Sequence, residues 1–374
     1  MSNDNFIYRF YYGWWKNIDK TIFLLIVLLF CLGLFFSLAS TSLIASDKLE
    51  TNDYFFFFKH LAFIFLGMSV IIFFSSISQK NLFRISIFLF FVSLFFLALV
   101  PIIGTEVKSG KRWLELFFLP RFQPIELLKP FIIIVIATVL SSEKKISIYF
   151  KFFISFLIIT PVILLLMMQP DIGQTLLVLL SWLTLVFISG ISLYVFFSFF
   201  GLSFILLLYL IFFIPKFEYI RNRIDSFFNP ATGTHSGQSE KAIDAITSGG
   251  FFGKGIGEGT LKNKVPDAHT DFIISAISEE FGVVVIILLL IIFLFFIYNV
   301  FKKLSLEKDE RIQLVMTGSI TLILAQTLIH LGVNIRLFPT TGMTLPYLSY
   351  GGSSILGVSI LSGIILNLTK RKVN

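Results

Sequence analysis

Apolar residues fall along this chain in ten blocks, near 21–42, 57–77, 82–103, 126–142, 149–168, 172–189, 192–214, 272–301, 312–333 and 353–369. A helix needs roughly 20 mostly apolar residues to cross a hydrocarbon core about 30 Å thick. The pattern therefore predicts an all-α, polytopic helical membrane protein with about ten transmembrane helices, forming one integral domain over residues 1–374. Polar positions gather between the blocks, and two of these intervals are long, 104–125 and 215–271. The second lies between helices 7 and 8 and is too long to be a simple connector. Inside it, residues 240–246 alternate polar and apolar, which predicts a short amphipathic helix at the membrane interface. A glycine-rich run follows at 248–259, a composition that permits positive φ and close backbone approach. It follows no strand of a βαβ unit, so it does not read as a nucleotide loop.

An even number of spans puts both termini on one side. The short loops of that side hold Lys80 and Arg84, then Lys144, Lys145 and Lys151, then Lys302, Lys303, Lys308 and Arg311. The tail adds Lys370, Arg371 and Lys372. Basic residues in short loops mark the cytoplasmic side, so the termini are expected in the cytoplasm and the 215–271 loop outside it. Arg9, Lys16 and Lys20 precede a block long enough to span, with no small-residue cleavage site after it, so a cleaved signal peptide is not expected. Trp14 and Trp15 read as interfacial anchors.

Composition supports this picture. The chain is 56% hydrophobic and 14% charged, with mean hydropathy +0.90, where soluble domains carry about 25% charged residues. The net charge of +8 sits at helix ends, where it meets anionic head groups, and is no signal for nucleic acid. The 48 phenylalanines suit a lipid-facing surface. Cys31 is the one cysteine, which excludes an intrachain disulfide. His60, His235, His269 and His330 are scattered without metal-ligand spacing, so no metal site is expected.

Four constellations could carry chemistry. Asp271, Ser275, Ser278, Glu279 and Gly282 recur at helical spacing and form a polar stripe where the eighth span begins. Asp271 reads either as a helix N-cap or as a general base at the mouth of a cavity, with His269 orienting it or capping a turn. Lys111 and Arg112 precede Glu126 and Lys129. The latter two sit three apart on one helix face and can pair with each other, and the cations suit a pyrophosphate. Gln169, Pro170 and Asp171 read as a helix start with Asp171 at the cap. Finally, 334–354 packs two prolines and three glycines at membrane depth. That predicts a broken segment buried in protein or lining a wet cavity. Ser353 in this stretch lacks a base partner and does not read as a nucleophile.

These blocks, in this order on ten spans, closely resemble the SEDS family, whose branches are FtsW, RodA and the sporulation relatives. The resemblance covers nearly the whole chain. It rests on the Lys111–Arg112–Trp113 block, the Gln169–Pro170–Asp171 block, the Ala-His-Thr-Asp-Phe block at 268–272, and the Leu-Pro and Ser-Tyr-Gly-Gly-Ser-Ser elements at 345–354. Residues 252–259, 266–271 and 339–346 are similar to the division branch, FtsW, rather than to the elongation branch, RodA. Ile125, Gln174, His235, Ser275, Ser278 and Arg336 depart from the family's usual residues, with Arg336 standing where glycine is frequent.

The resemblance implies a peptidoglycan glycosyltransferase that polymerises lipid II into β-1,4 glycan strands at the division septum. In it Asp271 is the catalytic base, and Lys111, Arg112, Glu126, Lys129 and His269 bind substrate. No tightly bound cofactor is implied, although a divalent cation, magnesium or manganese, is admitted as counter-ion to the pyrophosphate. The implied partners are a class B penicillin-binding protein transpeptidase and other division proteins, in the bacterial inner membrane. A lipid II flippase, an elongation-type polymerase and a non-catalytic scaffold are the competing readings. Few charges lie within the spans, away from the outer half, which disfavours the charge relay a transporter needs.

Overall fold

The computed structural model describes residues 12–41, 54–107, 110–116, 120–142, 146–214, 218–228 and 236–370. Arg9, Lys144, Lys145, His235, Arg371 and Lys372, all named above, lie outside the described residues. Among the described residues ten long helices follow the ten apolar blocks. They are α1 (Lys20–Phe36), α2 (Phe55–Ser76), α3 (Gln79–Ile103), α4 (Pro124–Leu140), α5 (Ile148–Met168), α6 (Ile172–Ile188) and α7 (Leu193–Phe213), then α10 (Ile273–Leu304), α11 (Glu310–Asn334) and α12 (Gly352–Leu368). The interval between α7 and α10 folds into α8 (Glu218–Phe228), α9 (Ser236–Gly249) and a 3-10 turn at Leu261–Lys264.

Two differences from the sequence expectation stand out. The 104–125 interval carries an antiparallel hairpin, β1 (Thr105–Val107) and β2 (Gly110–Trp113), extended by a bridge between Leu114 and Phe122. Two short strands outside the bilayer can satisfy each other's backbone groups without a helix. Trp14, expected as an interfacial anchor, is instead buried, with its indole N–H donating to Ser75 Oγ at 2.8 Å.

The centre of the bundle is built from α4, α11 and α12, with α6 alongside. Nearly every residue of α4 and of α12 is buried, whereas α2, α3, α5, α7 and α10 turn exposed Phe, Leu and Ile outward. Small residues set the closest approaches, as expected where lipid supplies no hydrophobic drive between helices. Gly67 of α2 faces Ser359 of α12, Gly318 of α11 faces Ile133 of α4, and Gly357 of α12 lies against the Glu126 carbonyl of α4.

Polar contacts fix one end of the bundle. Asp19, ahead of α1, pairs with Lys303 at the end of α10 at 2.9 Å. At the end of α12, Asn367 Nδ2 donates to the Phe74 and Ile77 carbonyls at 2.8 and 2.7 Å, and Lys370 Nζ reaches Ile77 at 3.3 Å. These contacts gather one set of helix ends at the basic face, so α2, α4, α6, α10 and α12 all start at the opposite face. Six of the ten helices are long and apolar enough to cross a membrane on length and composition. By contrast α4, α6 and α12 have 17 residues each, about 25 Å at 1.5 Å per residue. That is shorter than a core of about 30 Å, and irregular backbone makes up the difference at their N-terminal ends.

The eighth span is not one continuous helix. Gly282, with φ 80° and ψ 172°, breaks α10, and the glycine-rich run fills the gap. The Val283 and Val284 N–H groups donate to the Gly250 and Phe251 carbonyls, while the Glu279 and Glu280 carbonyls accept from Lys254 and Gly255. Four of the backbone groups beside the break are thus paired with the loop. Gly250, Gly253 and Gly255 all have positive φ, and a side chain on Gly253 would collide with the Glu280 backbone.

The close α4–α12 crossing yields a stability prediction. Gly357→Ala drives a methyl into the Glu126 carbonyl, and overpacking of this kind costs about 1–3 kcal/mol. Gly201→Ala in α7, with open space around it, serves as control. Thermal unfolding in detergent is expected to show a lowered midpoint for the first variant and no loss for the second.

Candidate functional site

The site lies at the end of the bundle opposite the basic face, where the three short helices begin. The α4 cap is Gln123, with Pro124 at the first helical position. The α6 cap is Asp171, whose side chain accepts from the Gln174 N–H at 3.3 Å, as the sequence predicts. The α12 cap is Gly351. The three starts are tied together: Gln123 Nε2 donates to Asp171 Oδ2 at 2.9 Å, and the Gln123 N–H donates to Ser353 Oγ at 2.9 Å. Each N-terminus carries a partial positive charge, so together they favour an anion. Ser353 is thus a partner of the α4 cap.

Arg112 reaches this junction from β2. Its guanidinium donates to the Gln169 and Pro170 carbonyls at 3.4 and 2.7 Å and lies 3.9 Å from Asp171 Oδ2. Lys111, next to it on the strand, points the other way: it is exposed and registers opposite Glu106. The sequence put the two cations together as anion ligands, but strand alternation separates them.

Below the junction lies the predicted Glu126–Lys129 pair, 2.9 Å apart and almost wholly buried, at 6% and 4% exposure. Gln174 Nε2 donates to Glu126 Oε1 at 2.6 Å, and Lys129 Nζ donates to Gln326 Oε1 at 3.2 Å. Gln326 in turn donates to the Thr344 carbonyl at 2.9 Å, and Thr344 Oγ1 bonds Ser354 Oγ at 2.6 Å. A small cavity opens here, lined by Glu126, Lys129, Gln326, Pro346, Ser354 and Gly357. Gln326 belongs to a feature that the sequence reading missed. Gln326, His330 and Asn334 stand four apart on one face of α11, a legible polar stripe inside an apolar block.

Asp271 lies on the turn just ahead of α10. The cap position of α10 is Phe272, one residue on, so of the two readings of Asp271 the helix cap is not the one observed. Its N–H donates to the Asp267 carbonyl at 3.1 Å, and its carbonyl accepts from Asn334 Nδ2 at 3.2 Å. The side chain is half-buried. A Cβ placed on Gly342 would lie 3.6 Å from Asp271 Oδ2 and 3.8 Å from an Arg112 terminal nitrogen. Carboxylate and guanidinium therefore flank one glycine, which has φ 72° and leaves the space between them open.

His269 lies on the same turn, two residues before Asp271. Its ring packs with Phe56 and Tyr350 at centroid distances of 5.6 and 6.0 Å, and its carbonyl accepts from the Tyr350 N–H at 3.1 Å. Ser349 Oγ donates to the Thr270 carbonyl at 2.7 Å. The 268–271 segment is thus held by the irregular 335–351 segment. That segment is largely buried over 343–349, as its prolines and glycines predict, with Tyr347 hydrogen-bonded to Ser362 at 2.9 Å.

Glu279, read from the sequence as part of a polar stripe, is fully buried. It accepts from the Thr260, Leu261 and Lys262 N–H groups and pairs with Lys254 at 3.3 Å. Glu280 accepts from the Gly257 N–H at 3.0 Å and pairs with Lys262. These two carboxylates clamp the glycine-rich loop to α10 rather than facing the site. Arg336 has φ 56° and binds the long loop through Glu240, at 3.5 Å, and the Phe227 carbonyl.

Comparison with known proteins gives a consistent result. A probable peptidoglycan glycosyltransferase FtsW from Caulobacter vibrioides is 32% identical over 366 residues, covering 96% of this chain and 91% of the relative. The FtsW of Nitrosomonas europaea, named in the same way, is 33% identical over 365 residues, covering 94% and 92%. Among solved structures, the Thermus thermophilus rod shape determining protein RodA superposes with TM-score 0.68 at 25% identity, over 94% of this chain and 96% of that one. A chain of a peptidoglycan synthase complex superposes with TM-score 0.79 at 24% identity, over 94% and 97%, a likeness of fold. The family described as cell cycle protein, FtsW/RodA/SpoVE, matches residues 19–374, and this chain belongs to it.

Proposed function

We propose that this chain is a peptidoglycan glycosyltransferase of the division type, polymerising lipid II into β-1,4 glycan strands on the extracytoplasmic side of the bacterial inner membrane, at the septum. The observation that carries the reading is the half-buried Asp271 carboxylate across Gly342 from Arg112, beside three joined helix N-termini. A base stands next to an anion-favouring pole, as transfer from a pyrophosphate donor requires. The full-length likeness to relatives named peptidoglycan glycosyltransferase supports the same chemistry.

In this mechanism Asp271 takes the proton from the 4-hydroxyl of the acceptor GlcNAc as that oxygen attacks C1 of the donor MurNAc. The C1–O bond to the lipid pyrophosphate breaks on the opposite face, so the anomeric centre inverts to β. Arg112 and the three N-termini stabilise the charge growing on the leaving pyrophosphate. Lys129 acts from beneath, its charge shared with Glu126. His269 shapes the wall that carries Asp271. Among the described residues no three His, Cys, Asp or Glu side chains converge to hold a metal. Magnesium is often held by one or two carboxylates plus substrate phosphates, so a divalent cation would enter with the pyrophosphate.

The proposed partner is a single-span class B penicillin-binding protein, which would crosslink the strands made here. The apolar outer face of α10, with Ile287, Leu288, Ile291, Leu294 and Phe295 exposed, together with α11 and the long loop, suits a transmembrane helix and its stalk. The likeness in fold to a chain of a peptidoglycan synthase complex fits such a pairing.

Two outcomes test the site. Asp271→Asn keeps the shape and removes the base, so polymerisation of labelled lipid II is expected to fall by roughly a hundredfold to ten-thousandfold. Thermal stability should stay at the wild-type level, and near-normal glycan from the folded variant would refute the base assignment. Lys129→Met strands a buried carboxylate at Glu126 and is expected to cost about 3–5 kcal/mol. Adding Glu126→Gln should recover most of that loss, as read by thermal unfolding in detergent. If the double variant is no more stable than the single one, the pair is not coupled as described.

A further inference from the structure

The glycine-rich loop carries an apolar tip that the proposed reaction does not use. Phe251 and Phe252 are 75% and 85% exposed, and Ile256 is 61% exposed. In a hydrophilic loop such a tip needs a covering surface. Its height relative to the membrane follows from α10. From Val283 to Phe301 that helix holds no charged residue, and Lys302 and Lys303 follow at once. These nineteen residues rise about 28 Å, close to the thickness of a hydrocarbon core of about 30 Å. With the two lysines at one boundary, Gly282 falls at the other.

The loop is pinned at that level. The Gly250 carbonyl accepts from the Val283 N–H at 3.0 Å and the Phe251 carbonyl from the Val284 N–H at 3.3 Å. Phe251 is thus bonded to the first exposed residue of the apolar run. Its ring is exposed, as are Val284, Ile287, Leu288 and Ile291 along α10. The carboxylates of Glu279 and Glu280 hold the following turn against α10 and neutralise Lys254 and Lys262. No unpaired cation of these two is dragged toward the acyl chains.

We propose that Phe251 and Phe252 are a lipid anchor, inserted at the head-group boundary of the extracytoplasmic leaflet, which fixes the glycine-rich loop relative to the bilayer. Aromatic side chains at an interface bury their rings while the backbone stays hydrogen-bonded, here to α10. The anchor goes beyond the glycosyltransferase reading and does not depend on it, because it rests on the length of α10 and the loop's hydrogen bonds.

The test uses site-directed spin labels in the full chain. Cys31→Ala removes the one native cysteine, and Phe251→Cys or Phe252→Cys then takes a nitroxide. The protein is reconstituted alone into vesicles of phosphatidylethanolamine and phosphatidylglycerol. Collision with oxygen, which concentrates in lipid, is compared with collision with a water-soluble nickel chelate. Ile291→Cys gives the lipid reference and Glu258→Cys, at an exposed loop position, the aqueous one. At both phenylalanine positions oxygen accessibility is expected to exceed nickel accessibility severalfold, as at Ile291. A ratio matching Glu258 would overturn the anchor. So would low accessibility to both probes, which would assign the pair to a protein contact. A second measurement uses the unmodified chain in vesicles containing a lipid with a photoactivated carbene near its head group. An adduct on the peptide holding Phe251 and Phe252 is expected, and its absence, with adducts present elsewhere on the protein, would equally refute the proposal.

Discussion

The break in α10 at Gly282 is the constraint on which the catalytic end of the molecule depends. A straight helix would satisfy its own backbone and leave the long loop unattached. Breaking it frees backbone groups on both sides, and residues 250–255 pair with two of the carbonyls and two of the N–H groups. A backbone group left unpaired near a membrane costs several kcal/mol, so helix and loop stabilise each other or neither forms. Glycine is required on both sides, at Gly282 for its positive φ and at Gly253 for the close approach. The buried Glu279 and Glu280 reinforce the union with charge-assisted bonds to backbone N–H groups and to two lysines. Since α10 begins two residues after Asp271, this union sets where the carboxylate stands.

A second constraint shapes the opening itself. Helices α4, α6 and α12 are about a turn short of a full crossing, and the chain ahead of each is irregular. Such backbone persists at membrane depth only where protein or a wet cavity surrounds it. Here Gln123, Asp171 and Ser353 bond the three starts into one junction. Arg112 adds a fixed positive charge, and Asn334 and Ser349 hold the segment bearing Asp271 from two further elements. The result is a preorganised site, with its donors in place before a substrate arrives. The buried Glu126–Lys129 pair stabilises little by itself. Its consequence is geometric, since Gln174 on α6 and Gln326 on α11 bond it from either side and key those helices to α4.

Arg336 ties the long loop to the end of α11. A left-handed backbone conformation at a residue other than glycine carries strain of about 1 kcal/mol or more. The side chain offsets it by binding Glu240 and the Phe227 carbonyl, drawing α8 and α9 toward the end of α11.

Much of this architecture was legible in the residue pattern. The ten apolar blocks correspond to ten helices, because apolar runs of spanning length have few other ways to satisfy their backbones in lipid. The Glu126–Lys129 pair and the Asp171 cap follow from spacing along one helix, and the irregular 335–351 segment from its prolines and glycines. These are local properties, which the sequence by itself determines. Other features depend on contacts between distant segments. No local signal joins Asp271 to Arg112 across Gly342, turns Lys111 away from its neighbour, buries Trp14 against Ser75, or spends Glu279 on a loop rather than on a site. Each depends on which backbone groups and charges are left over once the helices pack. Only the tertiary structure decided that, because a hydrogen bond between residues far apart in sequence exists only after the chain has brought them together.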